Sequence, residues 1–427
     1  MERNENTSEQ STMIVNNNPN GKSQFLTIRD SRTLNNMSIT PVAAVISLTS
    51  IFAAVGLAAG PTPSPVPSAA SQPAPIIAQS TYIKGFEWIG KRQDPPNPNG
   101  DTYPMTWADD DVIYTSAGDP VPKSGLDIDK ITGDPSNHKV ISINPMKDYK
   151  GWGGGGPKPT GMICVKGVLY LAFQNLLGNK PPLYGKCQHG DDAQIVSSAD
   201  KGVSWARAIG PNQTPMFPGH KFGGPAFINF GQNNANARDH YVYAVSSDQW
   251  DCGKDLRLGR VPDDRIVDPK AWEWVCGFTT SREPVWNHDL EASIPVLSLK
   301  GWLGAPDMVY LSGIKRYLLV VWHLRNDFNP KTGTDLLILE SPEPWGPFSQ
   351  VYREELWEFE AFTPYCPRIP LKWMQPDGVT GWMQFSGAWN SSYYHSHARQ
   401  FRLLMADTYG AESVVKPNTQ PADTKPK

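Results

Sequence analysis

The chain has 427 residues, which is enough for one large domain or two of ordinary size. Its 39 basic and 42 acidic residues leave a net charge of −3 without a basic patch, which excludes the electrostatic signature of a nucleic-acid-binding protein. Aromatic residues reach 11%, charged residues only 19%, and 37 Gly and 40 Pro break the sequence, a composition typical of a turn-rich all-β protein.

The first 60 residues are predicted to lie outside the folded domain. Residues 1–36 form a polar region, and residues 37–60 contain an uncharged apolar run from Ile39 to Gly60. The small residues around Gly56 suit signal-peptide cleavage, and the run is also long enough to remain in a membrane as an anchor. Either use predicts export, so we expect a secreted protein, or a periplasmic or cell-surface protein with a membrane tether.

Three further segments follow the apolar run. Residues 61–80 are rich in Pro, Ser and Ala and predict an extended linker. Residues 81–412 are then the folded domain, which we expect to be a monomer, and residues 413–427 a disordered tail.

Five cysteines fit an exported protein. Cys252 and Cys276 are close enough in sequence to bridge within one structural unit, Cys164 and Cys187 likewise, and Cys366 is left over. Because the chain has no C-x-x-C pair, a zinc site is not expected, and we predict no metal ligands.

From Asp101 onward, the chain repeats one pattern five times. A Gly/Pro-containing segment leads into a short apolar strand, a turn, and a second strand with Tyr or Trp near its start. The openings, separated by 57, 65, 82 and 58 residues, begin at Asp101, Lys158, Gly223, Ala305 and Thr363. This period, with strands of 5–8 residues, matches a four-stranded propeller blade better than a solenoid repeat.

The outer strands favour the same fold. Ser198 to Trp205, SADKGVSW, matches the S-x-D-x-G-x-x-W "Asp-box" turn of sialidase-type propellers, in which the Asp caps backbone amides and the Gly takes a positive φ. The fifth unit ends without a fourth strand, whereas Tyr82 to Lys91 resembles one. We therefore predict an all-β, five-bladed β-propeller with four-stranded blades, closed by an N-terminal strand that removes the exposed edges.

In such a ring, first strands start and second strands end at one mouth. The stretch GDTYPMTWADDDVIYTSAGD therefore places Asp101 and Asp119 at the mouth. Asp109, Asp110 and Asp111 fall in the turn on the opposite face, where Asp is favoured for backbone hydrogen bonding.

The rule that first strands start and second strands end at the mouth also selects the other candidate site residues. Hydrolysis of a glycosidic bond needs one protonated carboxyl and one ionised partner. Asp101 is the candidate base and Asp119 or Asp248 the candidate acid, with Glu291 as a further alternative for the acid. Candidate substrate-binding residues, with Trp250 as a stacking platform, are Trp250, Glu291, His323, Arg325, Tyr365 and Asn175. For each carboxylate the alternative is calcium binding or strand capping, and no other cofactor is expected.

Several stretches together resemble the bacterial domain-of-unknown-function family 4185. They are TWADDDVIYTSAGD, YVYAVSSDQWDCGKDLRLGRVPDDRIVDPKAWEWVCG, GIKRYLLVVWH and ESPEPWGPFSQVY, and the resemblance extends from about Thr81 to Tyr409. It implies similarity to five-bladed glycosidases of arabinans and xylans, with some members hydrolysing D-arabinan internally. It also implies that Asp101, at the start of the first inner strand, is the catalytic base, and that the partner is a carbohydrate polymer or oligosaccharide.

Two other functions are consistent with the pattern. A sialidase is suggested by the Asp-box and by Arg368-Ile369-Pro370, but that tripeptide should open the propeller and here falls in its last unit. A non-catalytic glycan-binding or surface-adhesion propeller would keep the aromatic residues and would need no acid/base pair.

Overall fold

The computed structural model describes most of the chain between residues 77 and 406. The described residues are 77–121, 126–147, 149, 156–177, 183–184, 187–188, 190–206, 214–325, 333–358, 363–388 and 391–406. They belong to one structural unit, Pro67–Lys427. Within them, no helix has the length and apolar character needed to cross a membrane. The expected polar region, apolar run and tail lie outside the described residues.

The described chain is all-β, with short 3-10 helices between some strands. In chain order, the strands are β1 (Ile83–Gln93), β2 (Asn99–Trp107), β3 (Ile113–Val121), β4 (Leu126–Thr132), β5 (Lys139–Met146), β6 (Lys158–Val165), β7 (Val168–Gln174), β8 (Leu183–Tyr184), β9 (Cys187–Gln188), β10 (Gln194–Ser198), β11 (Pro225–Phe227), β12 (Tyr241–Ser247), β13 (Gly253–Pro262), β14 (Glu273–Phe278), β15 (Pro284–Asn287), β16 (Leu297–Leu311), β17 (Arg316–Leu324), β18 (Thr334–Ser341), β19 (Ser349–Glu354), β20 (Tyr365–Arg368), β21 (Thr380–Ser386) and β22 (Ser396–Met405). The 3-10 helices are Pro135–Asn137, Gln232–Asn234, Pro269–Ala271, Leu290–Ala292 and Leu371–Trp373.

The strands pair antiparallel. Apart from β8 and β9, which pair with each other in a separate two-stranded sheet, they form five groups, which we name A to E. Group A is β2-β3-β4-β5, group B is β6-β7-β10, and group E is β20-β21-β22-β1. Group C is β11-β12-β13-β14 with β15 at its edge, and group D is β16-β17-β18-β19. Groups C and D form one continuous sheet, because the first part of the long β16 pairs with β13 and the second part with β17.

Strand composition explains which strands are central. In β17, RYLLVVWHL, and β18, TDLLILES, almost every residue is buried, as expected for strands covered on both faces. In β22, buried Phe401 and Leu403 alternate with exposed Arg402 and Leu404, the period-two pattern of a strand with one wet face.

The first strands of the five groups contact one another in a cycle. β2 contacts β6, β6 contacts β11, β11 contacts β16, β16 contacts β20, and β20 contacts β2. They begin at or within a few residues of the five predicted openings, except that β16 starts earlier and reaches the fourth opening in its second half. The cycle brings residues that are far apart in sequence to a common centre.

Apolar side chains fill the space between neighbouring groups. Separate buried clusters lie between A and B, between B and C, between C and D, between D and E, and between E and A. Each group therefore buries its two faces against two different neighbours, which is how a sheet with no helical cover excludes water from both sides.

The N-terminal strand pairs as predicted. β1 lies antiparallel to β22, with Trp88 opposite Phe401, and forms the outer strand of group E. Phe86 stacks on Phe401 and on Tyr352 of β19, with ring centroids 5.1 and 4.8 Å apart, so this strand also contacts group D. Residues from the two ends of the domain are thus joined in one sheet.

Two predicted turns have the expected local contacts. After β10, the Asp200 carboxylate accepts hydrogen bonds from the hydroxyls of Ser198 and Ser204, and Gly202 has a φ of 91°. Between β2 and β3, Asp110 accepts a bond from the backbone N–H of Val112, and Asp111 has a φ of 61°. These carboxylates stabilise their own turns.

The predicted disulfides are wrong. Cys276 and Cys164 are free thiols, whereas Cys252 is in a disulfide, so neither Cys252–Cys276 nor Cys164–Cys187 is formed. Cys164 is buried on an inner strand, where its Sγ contacts the Asn233 side chain at 3.3 Å, and Cys276 lies on the outer strand β14. Closeness in sequence failed as a guide because inner and outer strands of one unit are far apart. Cys366 is free, as predicted.

Candidate functional site

Asp101 and Asp119 lie where β2 begins and β3 ends. Asp101 is opposite Gly118 in the β2–β3 register, and the pairing is irregular on both sides of it. A side chain at Gly118 would come within 2.6 Å of Asp101 Oδ1, so the glycine leaves room for the carboxylate. Thr102, Tyr103 and Asp119 have φ values of 65°, 39° and 44°. Such bulges and left-handed residues re-aim side chains and often occur at functional sites.

Lys158, the first residue of β6, joins the two carboxylates. Its Nζ is 2.5 Å from Asp119 Oδ2 and 3.7 Å from Asp101 Oδ2. All three side chains are buried, with 2–5% of each residue exposed. Two carboxylates and one ammonium give the cluster a net charge of −1 when all are ionised. We call Asp101 and Asp119 the carboxylate pair.

The carboxylate pair is electrostatically asymmetric. Burial raises the pKa of Asp101 to about 6, Lys158 opposes the rise, and the nearby charge of Asp119 adds to it. Burial alone would lower the pKa of Lys158, but Asp101 and Asp119 outweigh it and raise that pKa above its ordinary value. Lys158 is therefore charged at neutral pH, and its closer contact is with Asp119.

Two tyrosines complete the polar contacts. The Tyr365 hydroxyl donates to Asp101 Oδ2 at 3.1 Å, and the Tyr394 hydroxyl donates to the backbone carbonyl of Asp119 at 3.3 Å. Burial and the charge of Asp101 raise the pKa of both tyrosines well above the ordinary value, so both are neutral donors. The Asp101 Oδ1 atom is itself buried, and the Tyr394 hydroxyl is the other side chain beside this carboxyl.

An aromatic wall lies beside the cluster. The Trp250 ring packs edge-on against Trp322 and Tyr365 at 5.4 and 5.8 Å, and the Lys158 ammonium lies 5.3 Å from its centroid. Only 3% of Trp250 is exposed, so the described ring is part of the wall rather than an open stacking platform. Of the sequence candidates, Asp101, Asp119, Tyr365 and Trp250 are thus brought together.

Asp248 has different contacts. Its Oδ1 accepts hydrogen bonds from the backbone N–H groups of Lys254 and Asp255, at 2.7 and 3.2 Å. These bonds close the turn between β12 and β13. They correspond to the strand-capping alternative, and no described hydrogen bond or ion pair joins Asp248 to the carboxylate pair.

His323 and Arg325 belong to another network. His323 Nδ1 is 3.0 Å from Asp335 Oδ2, and its ring stacks on Trp302 at 4.5 Å. Arg325 donates to Asp335 at 2.6 Å and to Glu355 at 2.8 Å. Arg325, with His323 and the N–H of Leu356, lowers the pKa of Asp335 against the effect of burial. These contacts join the ends of β17, β18 and β19 within group D.

Glu291 and Asn175 also lie apart from the carboxylate pair in their described contacts. Glu291 is exposed on a 3-10 helix after β15 and forms an ion pair with Lys221 at 2.8 Å. Asn175 is buried beyond β7, where its side chain donates to the carbonyl of Gly156 and accepts from the N–H of Asp191. Asn175 therefore holds the chain at the end of group B.

Sequence reasoning assigned no role to Lys158 or Tyr394. Lys158 is the first residue of a predicted inner strand, so the sequence predicted where it lies. The sequence did not predict which side chains Lys158 contacts. Tyr394 precedes β22 in the stretch SSYYHSH, which has no pattern that predicts contact with β3. Only the packing of group E against group A brings it to Asp119.

Arg368 is the arginine of the R-I-P tripeptide. It is buried, and its guanidinium donates to the backbone carbonyls of Thr102 and Pro306, each at 2.9 Å. Its Nη1 also lies 3.8 Å from Asp307 Oδ1. These contacts, made by Nε and Nη1, tie β20 to β2 and β16, while the buried Nη2 atom has no hydrogen-bond partner among the described residues.

Metal binding has no obvious ligand set in this part of the protein. Among the described residues, no three or more His, Cys, Asp or Glu side chains are grouped so that they could hold a metal ion.

Comparisons with known proteins give one family and several distant structural likenesses. The family model described as "Domain of unknown function (DUF4185)" matches residues 93–350. No curated protein matches the chain.

The solved structures similar to this one include three that cover most of the chain. An α-L-arabinofuranosidase from Podospora anserina, solved with cellotriose, is 12% identical, covers 76% of this chain and 98% of its own, and has a TM-score of 0.41. The arabinanase Arb43A of Bacillus subtilis is 11% identical, with 73% and 96% covered and a TM-score of 0.42. A protein of unknown function from Dyadobacter fermentans is 11% identical, with 75% and 100% covered and a TM-score of 0.43.

Proposed function

The chain belongs to the DUF4185 family, and we propose that it is an exported glycoside hydrolase built as a five-bladed β-propeller. Each strand group would be one blade, with four strands in groups A, D and E, three described strands in group B and an added strand, β15, in group C, and the N-terminal strand completing the last. The cyclic contacts of β2, β6, β11, β16 and β20 support this architecture, as do the buried clusters between neighbouring groups.

The observation that carries the proposed activity is the carboxylate pair held by one ammonium. Cleavage of a glycosidic bond needs a proton donor at the leaving oxygen and an ionised carboxylate that activates water or stabilises the sugar cation. Asp101 suits the donor, because burial raises its pKa to about 6. Asp119 is the candidate partner, because its Oδ2 lies 2.5 Å from the Lys158 ammonium.

This assignment reverses the roles expected from the sequence, in which Asp101 was the base. Strand order indicates the position of each carboxylate but not which of them is closer to the lysine. We keep Tyr365 as a positioning residue, because its hydroxyl donates to one oxygen of Asp101.

The proposed substrate is a neutral polysaccharide of furanose or pyranose sugars, arabinan-like polymers included. With Asp101 protonated as the proposed donor, the site holds one further carboxyl group and one ammonium, and it offers no surplus positive charge to attract an acidic sugar. A sialidase would need a cationic group free to bind the substrate carboxylate, whereas Arg368 donates to backbone carbonyls. The geometry therefore favours a neutral glycan over sialic acid.

Hydrolysis of pooled plant, algal and mycobacterial polysaccharides tests the proposal. We expect the wild type to release reducing ends, and Asp101→Asn and Asp119→Asn each to lose activity by a factor of about 10²–10⁴. Asp264→Asn is the matched control, because Asp264 is an exposed aspartate on the loop after β13. Full activity in either carboxylate variant would refute the assigned chemistry.

A non-catalytic glycan-binding propeller is the second candidate, and the burial of the carboxylate pair and Lys158 favours it. A closed, mutually satisfied ion cluster can serve structure alone. In that case the protein would bind polysaccharide but release no products, and the wild type and Asp101→Asn would bind equally.

A further inference from the structure

Two segments of the chain run side by side next to the carboxylate pair. One runs from Asp94, just after β1, to Gly100, the residue before Asp101. The other runs from Tyr393 to His397, at the start of β22. Hydrogen bonds join the two segments at three points along their length, so the position of one depends on the position of the other.

Two of these hydrogen bonds lie nearest to the site. The Asn97 side chain donates to the backbone carbonyl of Ser396 at 3.3 Å. The Gly100 N–H donates to the carbonyl of Tyr394 at 3.2 Å, and the Tyr394 hydroxyl donates to the carbonyl of Asp119 at 3.3 Å. The backbone next to each member of the carboxylate pair is therefore held by the stretch that contains Tyr394.

The third contact is made by His397, whose side chain is fully buried. Its Nδ1 lies 2.8 Å from Asp94 Oδ1, and its Nε2 lies 2.8 Å from the backbone carbonyl oxygen of Tyr393. A carbonyl oxygen and an ionised carboxylate can only accept hydrogen bonds, so both bonds form only when each ring nitrogen carries a proton. In this geometry His397 is an imidazolium that holds one segment with each nitrogen.

The charges around the ring agree with this protonation state. Burial alone would raise the pKa of Asp94, but His397 and Arg92 outweigh it and lower that pKa, so Asp94 is ionised. The His395 ring packs against His397 with centroids 4.1 Å apart, and burial together with the neighbouring His397 lowers the pKa of His395. Burial also lowers the pKa of His138 to about 4. The nearby histidines are thus neutral, and the charge is on His397.

We propose that doubly protonated His397 is a positioning residue for the carboxylate pair, because it clamps the segment that leads into Asp101 to the segment that carries Tyr394. The inference rests on the proposed function and adds a residue that acts without touching the substrate. Hydrogen bonds between ionised groups are stronger than neutral ones, so the His397 contact is the strongest of the three. Its loss would let the start of β2 move, and a displacement of about 1 Å near reacting groups can lower a rate about 10²-fold.

Steady-state kinetics of His397→Phe, on the polysaccharide that the wild type cleaves, test the clamp. Phe keeps a ring but removes both donors, and we expect kcat to fall about tenfold or more. KM should stay within about twofold of the wild type, because no group that binds substrate is removed. The pH at which Asp101 changes kcat/KM, near 6, should move lower, because a looser site admits water and burial is what raises this pKa. A residue that only stabilised the fold would leave that pH unchanged.

Two further variants isolate the contact. Asp94→Ala removes the carboxylate half of it and should also lower kcat. The double variant of His397→Phe and Asp94→Ala should have a kcat within about twofold of His397→Phe, because one contact can be lost only once. His288→Phe is the matched control and should have wild-type kinetics. His288 also directs Nδ1 at a backbone carbonyl, that of Trp272 at 2.7 Å, but from an exposed position after β15.

Thermal melting of each variant shows whether it is folded at the assay temperature. If folded His397→Phe keeps the wild-type kcat and pH profile, the clamp is refuted and the proposed function stands. If His397→Phe does not fold, a wild-type kcat in Asp94→Ala refutes the clamp. If the wild type cleaves no polysaccharide, the proposed function fails. A crystal structure of Asp94→Ala then decides the clamp, which is refuted if the Gly100 N–H still donates to the Tyr394 carbonyl and supported if that bond is lost.

Discussion

The charge balance at the candidate site depends on the position of a single ammonium group. Lys158 Nζ is 2.5 Å from Asp119 and 3.7 Å from Asp101, and this difference separates two carboxyls that are otherwise buried alike. Burial raises the pKa of Asp101 to about 6, so this carboxyl can hold a proton to donate near that pH. The structure therefore distinguishes the two aspartates by environment.

The pH dependence of activity distinguishes the two possible roles of Asp101. As the proton donor, Asp101 must be protonated in the free enzyme, so kcat/KM should fall as pH rises through about 6, the raised pKa of this carboxyl. As the base, it must be ionised, and kcat/KM should instead rise with pH through the same region. Initial rates measured between about pH 4 and 8, on the polysaccharide that the wild type cleaves fastest, distinguish the two roles. A value of kcat/KM that rises with pH near 6 would show that Asp101 is the base, as expected from the sequence.

Residue positions were predictable where strand geometry alone sets them. Asp101 and Asp119 come together because the start of one strand and the end of its antiparallel neighbour meet at one edge of a sheet. Asp248 satisfies the same rule, yet its carboxylate turns to the backbone of its own β12–β13 turn. The contacts of Tyr394 with Asp119 depend on packing between sheets, which no local pattern in one sequence encodes.

At the scale of elements, the strand that joins the chain ends is β1. It pairs with β22 and buries Phe86 against Phe401 and Tyr352, so it connects groups D and E. The inner strands were predictable because each begins with the same Gly/Pro-to-apolar pattern. The 82-residue third unit was the least regular in sequence. The structure gives the reason: an added strand, β15, and the long β16, which pairs with both β13 and β17.

Phe86→Ala tests the contribution of β1. Removing a buried aromatic ring from this contact should lower the free energy of unfolding by about 3–5 kcal/mol, the range for Phe-to-Ala changes in a packed core. Lys84→Ala, at an exposed position of the same strand, is the control and should change it by less than about 0.5 kcal/mol. Equal urea-unfolding midpoints for the two variants would show that β1 does not hold the fold together.

At the scale of the whole molecule, Arg368 ties together three of the five inner strands. From β20 its guanidinium donates to the carbonyls of Thr102 in β2 and Pro306 in β16. The sequence showed this residue only within a tripeptide that suggested another enzyme class. Its place near the common centre follows from the cyclic contacts of the strands, which involve residues hundreds of positions apart.

Arg368→Met should therefore destabilise the entire domain. The change keeps an apolar stem but removes the donor to two buried carbonyls and the cation beside Asp307, which predicts a loss of about 3–5 kcal/mol in the free energy of unfolding. Arg282→Met, at an exposed residue, is the control. Thermal unfolding of both variants measures the difference, and a melting temperature near that of the wild type for Arg368→Met would argue against its role as a central tie.

The most direct test of the account is a crystal structure of Asp101→Asn with a bound oligosaccharide from the polymer that the wild type cleaves. The account predicts a glycosidic oxygen within hydrogen-bond distance of the carboxamide that replaces the Asp101 carboxyl, with the carboxylate of Asp119 facing the same sugar and Lys158 still at its side. An oligosaccharide bound with its glycosidic oxygens away from both positions would contradict it.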